Sequence, residues 1–593
     1  MNFFDSHLTS LVIFLPLLFA ALLAFLPNAE RGQLRAVTLI GMLLDLVFAA
    51  WMYLKFEPAG AEFQHEYRVR WLDDFGISYH VGVDGLAVSL ILLTAVLGPL
   101  VVMASWSFVQ ERTKEFHIAL LVLQVAMLGA LSSLDVVLFY VFWEAMLIPM
   151  YLLIGVWGSE ERQMAAMKFF LYTLAGSLLM LVAIIALYLI AQPSGSRSFD
   201  YATIYNALVG ANRELSACMA AGASSPLCTN LSPMALTLKS WGPWMFAAFA
   251  LAFAIKVPMF PVHTWLPDAH VQAPVAGSII LAGVMLKMGT FGFWRFAIPL
   301  FPSVAREARP LLAALSVIGI VYGALMCLAQ RDIKKLIAYS SVSHLGYCML
   351  GIMAMTLEGA SGSAYQMLNH GVSTGALFLL FGMLYERRHT RLMSDYGGIA
   401  SVMPVFAVAF VVITFSSIAV PGTNGFIGEF LVLLGTFKSS LWMGFGVLAT
   451  TGVILGAAYM LWMVQRVFFG QLTHRENAHL TDMNWRELAT VAPFVVLVLV
   501  MGLMPQPFLD RLNPAADRFV DRFNVGARDS RITDAEVRMV VAQLPPRAAQ
   551  PVPGAQRPLG LGNVQPVPLS APLRPAAPAP SAPVADPHAG HNH

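Results

Sequence analysis

Four ionisable side chains stand inside hydrophobic sequence: Glu144 in FYVFWEAMLIPM, Lys256 in AFAIKVPMFP, Lys287 in LAGVMLKMGTFG and Glu429 in NGFIGEFLVLL. Asp45, in GMLLDLVF, is a lesser case with no evident partner. Two histidines, His344 in AYSSVSHLGYCML and His370 in YQMLNHGVSTGALF, lie in the chain between the lysines and Glu429, with Ser, Thr or Asn beside them. What these groups share is proton exchange: histidine titrates near neutral pH, and desolvation brings a lysine down toward it. An ion at the centre of a bilayer costs roughly 2.5–3.5 kcal/mol. Four unpaired ions would cost on the order of 10–14 kcal/mol, comparable with a domain's whole stability of about 5–15 kcal/mol. They must face one another or a hydrated interior, and two lysines against two glutamates suit pairing. Static ion pairs between helices are the competing reading. Hydrophobic side chains often join helices as well or better, so four retained ions favour a role in moving charge.

The backbone around these residues is built to break. Pro258 follows Lys256-Val257, with Pro261 and Pro267 soon after. A helix is expected to stop beside Lys256, leaving free carbonyls and the negative end of a dipole near the ammonium. AVPGTNG at 419–425 interrupts a second stretch. Glu429 is then expected in the first turn of a new half-helix, at its positive end. Pro149 frees the carbonyl of Ala145, next to Glu144. Irregular backbone at membrane depth is tolerated only where protein or a hydrated cavity satisfies it. Broken helices in two halves of one chain point to a transport site at the midplane. His263 and His270, in PVHTWLPDAHV, lie seven residues apart beside Asp268 and match no standard zinc spacing. They are expected to line the cytoplasmic entrance or to cap the broken helix.

The elements that must hold these groups are membrane spans. Of 593 residues, 58% are hydrophobic and 12% charged, half the charge of a soluble domain, about 25%. The net charge of +2 gives no field for nucleic acid. Fourteen stretches approach the ~20 apolar residues a crossing needs: 8–27, 34–55, 84–109, 115–132, 134–157, 164–192, 240–257, 273–299, 310–329, 333–356, 362–385, 404–437, 441–469 and 487–506. The first reads as an uncleaved span. Alternate short loops carry fifteen Lys and Arg residues from Arg31 to Arg486, Lys334 and Lys335 among them. That face is expected to be cytoplasmic, with both termini outside. Cys218 and Cys228, in the long outer loop 193–239, would be a disulfide or two thiols. Residues 508–544 read as an amphipathic helix against the outer face. The stretch 545–593 holds 13 of the 35 prolines and is expected to be a disordered Pro/Ala-rich tail. Spans four to eight and nine to thirteen each contain five helices and one break, and an odd number of spans inverts the second copy. The expected fold is an all-α polytopic membrane protein of about 14 transmembrane helices with two inverted five-helix repeats. Its segments are 1–114, 115–300, 301–470, 471–544 and 545–593.

LFYVFWEAMLIPMYLLIG, AFAIKVPMFPVHTWLPDAHVQAP, LAGVMLKMGTFG, RDIKKLIAYSSVSHLGY and VPGTNGFIGEFL together resemble the antiporter-like subunits of respiratory complex I. The resemblance covers roughly residues 1–506. It implies a proton-translocating subunit of a bacterial inner membrane, with a first-channel pair on Glu144 and Lys256. The central relay would fall on Lys287, His344 and His370, and the exit-side group on Glu429. It also implies that this chain binds no redox cofactor, with NADH, FMN, iron–sulfur clusters and quinone held by other subunits. Its neighbours would be the antiporter-like subunits L and N, in a lipid bilayer. Those sisters, and the related sodium–proton antiporter subunits, carry Lys where this chain has Glu429. Three alternatives stand: a subunit of a multi-subunit sodium–proton antiporter, a subunit of a membrane-bound hydrogenase, and a structural membrane scaffold without transport.

Overall fold

The computed structural model describes residues 3–27, 30–191, 197–221, 226–229 and 231–524. The expected tail at 545–593, and 525–544 of the expected amphipathic helix, lie outside them. Two helices, α1 (Phe3–Phe25) and α2 (Arg31–Lys55), lead into an antiparallel hairpin of β1 (Gln64–Leu72) and β2 (Ile77–Val83), with Tyr67 opposite Val81. There follow α3 (Gly85–Ala104), α4 (Thr113–Ser132), α5 (Val136–Ala145), α6 (Leu147–Trp157), α7 (Arg162–Ile190) and α8 (Tyr201–Ala221). Next come α9 (Pro233–Lys256), α10 (Trp265–Gln272) and α11 (Val275–Leu300), which includes two π-helical turns. The remainder is α12 (Pro302–Leu328), α13 (Ile333–Ala354), α14 (Leu357–Arg388), α15 (Pro404–Ser417), α16 (Asn424–Lys438), α17 (Met443–Phe468), α18 (Trp485–Leu503) and α19 (Gln506–Phe523).

Among the described residues, thirteen helices are long and apolar enough to cross a membrane, α5 and α6 counting as one. The expected stretch 404–437 is instead covered by α15 and α16, separated by an irregular 418–423. The chain is thus helical and multi-pass. The hairpin at 64–83 is an addition to the expected helices, with β2 the more buried of its two strands. Likewise the expected outer loop 193–239 contains α8, whose Ile204, Leu208 and Ala211 are buried. Asn212 of α8 donates to the Leu300 carbonyl at the end of α11, 3.1 Å away. Cys218 and Cys228 form a disulfide.

Burial separates an inner from an outer set of helices. The apolar windows of α11 and α14 are enclosed throughout and that of α13 nearly so. By contrast α1, α7 and α17 show Leu18, Val182 and Ile454 on their outer surfaces, each about two-thirds exposed, as lipid or a neighbouring subunit would require. The basic loops meet on one face. Lys114 donates to the carbonyls of Ala24 and Leu26, Arg31 to Gln110 and Arg486 to Ser107.

On the opposite face α19 lies across the chain's own spans. Leu512, Ala515, Ala516, Phe519, Val520 and Phe523 form its buried stripe at helical spacing. Phe519 stacks on Trp294 at 4.3 Å, and Arg522 pairs with Glu62 at 2.7 Å. A side chain on Gly85, the first residue of α3, would meet the Arg511 carbonyl oxygen at 1.9 Å. Gly85→Val is therefore expected to lift α19 and lower stability by about 1–3 kcal/mol. Thermal melting of the purified protein, with protease cleavage after Arg511 or Arg518, measures both effects.

The hairpin is tied down through His80. Its Nδ1 lies 2.6 Å from Asp200 Oδ2 and its Nε2 3.2 Å from Glu66 Oε2. Burial works against the charged imidazole, but the hydrogen bond and charge of Asp200, with Glu66, outweigh it and hold His80 above the ordinary histidine range. For Asp200, burial raises the carboxyl, yet His80 and the two Thr203 donors bring it down to about 2. A raised histidine stabilises fully below its unfolded value near 6.5 and loses this as pH rises through the folded one; a depressed aspartate stabilises above about 3.9 and loses this as pH falls toward 2. Protection of the β2 amides, their exchange rate relative to the intrinsic rate at each pH, is thus expected to be greatest between about pH 4 and 6.5 and to fall on either side. Asp200→Asn should flatten that profile.

Candidate functional site

Lys287 sits in the enclosed helix α11, two residues after the end of the π-helical turn Leu281–Met285. Such turns widen a helix and leave a carbonyl displaced from its usual partner. The Lys287 ammonium donates to the carbonyl of Ala282 in that turn. Its Nζ also lies 2.6 Å from Nδ1 of His370 on α14. The His370 ring is 5.8 Å, centroid to centroid, from that of His344 on α13. His344 in turn places Nδ1 3.0 Å from Glu429 Oε1 on α16. Three enclosed helices and one half-helix thus bring four of the six expected residues into one row.

A second set of polar groups holds the end of this row. On α14, Gln366, Asn369, His370 and Ser373 recur at i, i+3, i+4 and i+7, which places them on one face. Gln366 donates to Glu429 Oε1 at 3.2 Å. Asn369 Nδ2 bridges Gln366 Oε1 at 3.0 Å and the Asn424 carbonyl at 2.9 Å. The Ser416 hydroxyl donates to Asn424 Oδ1 and meets Ser373 at 2.5 Å. These contacts span the break between α15 and α16, where Ala419 takes a positive φ of 58°. Glu429 is the sixth residue of α16 and so lies in its second turn, not the expected first. The half-helix dipole fades beyond the first turn. His344 and Gln366 are therefore the groups that set this carboxylate's surroundings.

The other two expected residues are arranged differently. Helix α9 ends at Lys256, as Pro258 requires, but the freed carbonyls do not face the ammonium. Met259 N–H takes the Ala254 carbonyl at 2.9 Å and the Trp265 indole takes that of Ile255 at 2.9 Å. Lys256 Nζ, fully buried, has no hydrogen-bond partner among the described residues. It lies 5.2 Å from the Trp143 ring centroid and 5.6 Å from that of Phe169, a contact worth about 2 kcal/mol when desolvated. Glu144 stands at the α5–α6 interruption, near the hydroxyls of Tyr140 and Ser177, and feels the Lys256 charge without a direct ion pair. The break lets α9 press against α11: a side chain on Gly289, two residues beyond Lys287, would strike the Phe253 carbonyl at 2.6 Å.

Residues beyond the expected set also enter the interior. Lys334, expected as a loop cation, is buried at the start of α13 and donates to the carbonyls of Ala273 at 2.6 Å and Val271 at 3.3 Å. His270 is wholly buried, stacked on Phe378 at 4.5 Å, with neither ring nitrogen partnered. His263 packs instead against Phe260 and Tyr322. Among the described residues no group of three His, Cys, Asp or Glu could hold a metal. A cavity of about 910 Å³ opens on the basic-loop face, lined by Lys168, Asp268, Asp332, Lys335 and Arg391 among others. Arg295 is buried too, paired with Asp84 at 2.7 Å. The Gln366–Asn369–Ser373 stripe was readable from its spacing. The burial of Lys334 was not, because it precedes an apolar run by one residue.

A family model described as "NADH:quinone oxidoreductase/Mrp antiporter, TM" matches residues 133–456, and one described as "NADH-ubiquinone oxidoreductase chain 4, amino terminus" matches 11–131. The chain belongs to this oxidoreductase/antiporter family. NADH-quinone oxidoreductase subunit M of Rhodobacter capsulatus is 42% identical over 88% of this chain and 97% of its own length. NADH-ubiquinone oxidoreductase chain 4 of Marchantia polymorpha is 38% identical over 87% and 97%. A chain of respiratory complex I from Thermus thermophilus superposes with a TM-score of 0.75 at 33% identity, over 87% of this chain and 99% of that one. A chain of the Mrp complex from Dietzia shares the fold, with a TM-score of 0.71 at 19% identity over 89% and 99%. Within the family's helical framework, Asn369 is the amide that ties α14 to the break before Glu429. Asn369→Leu leaves the Gln366 and Asn424 acceptors unpaired and is expected to cost about 1–3 kcal/mol, read as a lower melting temperature of the assembled complex.

Proposed function

We propose that this chain is a proton-translocating membrane-arm subunit of NADH:quinone oxidoreductase (complex I), coupling quinone reduction elsewhere in the complex to proton transfer. In this reading Glu144, Lys256, Lys287, His370, His344 and Glu429 form the relay. The observation that carries it is the row Lys287–His370–His344–Glu429, with bonded contacts at both ends and two imidazoles between. The chain lies in a bacterial inner membrane with its basic loops toward the cytoplasm and both termini outside. The antiporter-like subunits L and N are its neighbours. NADH, FMN, iron–sulfur clusters and quinone are held by other subunits, and this chain binds no redox cofactor.

The sequence of events follows from the two halves. At an effective dielectric of about 20, charges 4 Å apart attract by about 4 kcal/mol, a factor of about a thousand in a protonation equilibrium. With Glu144 drawn up to Lys256, the ammonium holds its proton. With the carboxylate withdrawn, Lys256 is left against aromatic rings and gives its proton up toward Lys287. The Lys287 ammonium donates to His370 Nδ1, His370 passes a proton from Nε2 toward His344, and His344 Nδ1 delivers it to Glu429. Glu429 releases it on the outer side. The charge change that moves Glu144 arrives from the neighbouring subunit.

Glu144→Ala, Lys256→Ala and Lys287→Ala are each expected to assemble while lowering proton translocation by about 10²-fold or more, the scale of one lost acid–base group. Acidification of inverted membrane vesicles on NADH addition reads this directly. Full pumping by Glu144→Ala or Lys256→Ala would defeat the scheme. Normal pumping with all four ions neutralised would favour the scaffold.

A further inference from the structure

Asp45 has no place in this relay, yet it is fully buried at the fifteenth residue of α2, about 21 Å along the axis from Arg31. Gln124 of α4 donates to its Oδ2 at 2.5 Å, while Oδ1 has no partner. Among the described residues no cationic side chain lies within ion-pair distance of it. The rest of α2 around it is apolar outward, with Ile40, Leu43, Leu44 and Val47 exposed. The polar side chains turn inward, Arg35 and Thr38 on the same stripe as Asp45.

The ionisable groups around it can be named element by element. Arg35 of α2 and His117 of α4, both buried, lie on the basic-loop side. Arg35 Nε and His117 Nδ1 are each unpartnered, and the Arg35 charge acts on His117. Tyr53 of α2 lies toward the outer side, under the Arg511 guanidinium. Helix α3 contains no ionisable residue, and α1 carries its own, Asp5 and His7, in its first turns. His117 and Gln124 are two turns apart on one face of α4, about 10.5 Å.

Helix α3 stands between α2 and the π-helical turn of α11. Its Leu97 fills the space a side chain on Gly283 would take, beside the π-helical turn before Lys287, while the next residue, Gly98, faces Gln124 Oε1. An unpaired carboxylate here would carry the full cost of an ion in hydrocarbon. A carboxylic acid accepts the Gln124 bond on its carbonyl oxygen and keeps a hydroxyl on the free one. We infer that Asp45 is a second proton-binding site, separate from the relay and exchanging with the basic-loop side past His117 and Arg35. The proton binds one carboxylate oxygen and leaves as a hydronium equivalent to water; nothing is oxidised.

Infrared difference spectroscopy of the native complex, in H2O and D2O, tests this with Asp45→Asn, Gln124→Leu and His117→Phe alongside. The expected result is the carbonyl stretch of a protonated buried carboxyl at neutral pH. Asp45→Asn removes it, Gln124→Leu shifts it through loss of the amide bond, and His117→Phe slows its deuterium shift. A carboxyl band identical in wild type and Asp45→Asn overturns the assignment, and unchanged exchange in His117→Phe overturns the route. Should Asp45→Asn fail to assemble, an unshifted band in Gln124→Leu overturns the assignment in its place.

Discussion

A polar group at bilayer depth survives only if the protein supplies what water would have supplied. This chain does so in two ways. Around Lys287 the replacement is by hydrogen-bonding atoms: the Ala282 carbonyl, His370, and beyond them His344, Glu429 and Gln366. Around Lys256 it is by the faces of Trp143 and Phe169. The difference is chemical as well as energetic. A ring face stabilises an ammonium but cannot take its proton, whereas an imidazole nitrogen can. One lysine is therefore held against ring faces and the other against a proton acceptor.

Helix irregularities create these environments, and each has a local cause. Pro258 ends α9, and the two carbonyls it frees are claimed at once by Met259 and Trp265. The break is thereby satisfied without using the lysine, which leaves the lysine available. In α11 the π-helical turn presents Ala282 to Lys287, so the ammonium is anchored five residues back along its own helix. Between α15 and α16 the Asn424 carbonyl and amide oxygen are taken by Asn369 and Ser416. The half-helix that carries Glu429 is thus fixed relative to α14, the helix that carries His370.

Much of this was legible because the sequence is so apolar. Against such a background Glu144, Lys256, Lys287 and Glu429 stand out singly, and prolines mark the breaks beside two of them. Span positions follow from length and hydropathy alone, since a bilayer leaves a helix few alternatives. What escaped depends on tertiary contact. Lys334 reads as one more loop cation, and only the close approach of Val271 and Ala273 carbonyls buries it. Helix α8 and the hairpin are half-polar, so no transfer argument singles them out, and they form because α1, α4 and α5 pack on the hairpin while α9 and the end of α11 pack on α8. The turn of α16 that holds Glu429 was misplaced because Thr423, and not a residue further on, precedes the first helical turn.

The balance of charge bears on the proposed transfer. With both lysines protonated and both glutamates ionised, the proposed relay holds four ions and no net charge. Moving one proton from Lys256 to Glu429 leaves Lys256 and Glu429 neutral, with Glu144 and Lys287 still charged and the sum still zero. The transfer therefore removes two ions from the low-dielectric interior instead of adding any, offsetting roughly 5–7 kcal/mol of the cost of holding them there. What opposes it is the ordinary gap between lysine and glutamate pKa values, about 6 units or about 8 kcal/mol, together with the loss of the aromatic contact at Lys256 and of the His344 and Gln366 bonds to a charged Glu429, each about 1.5–3 kcal/mol. Loss of two buried ions offsets part of this cost, and in the proposed scheme the remainder is supplied by the charge change arriving from the neighbouring subunit.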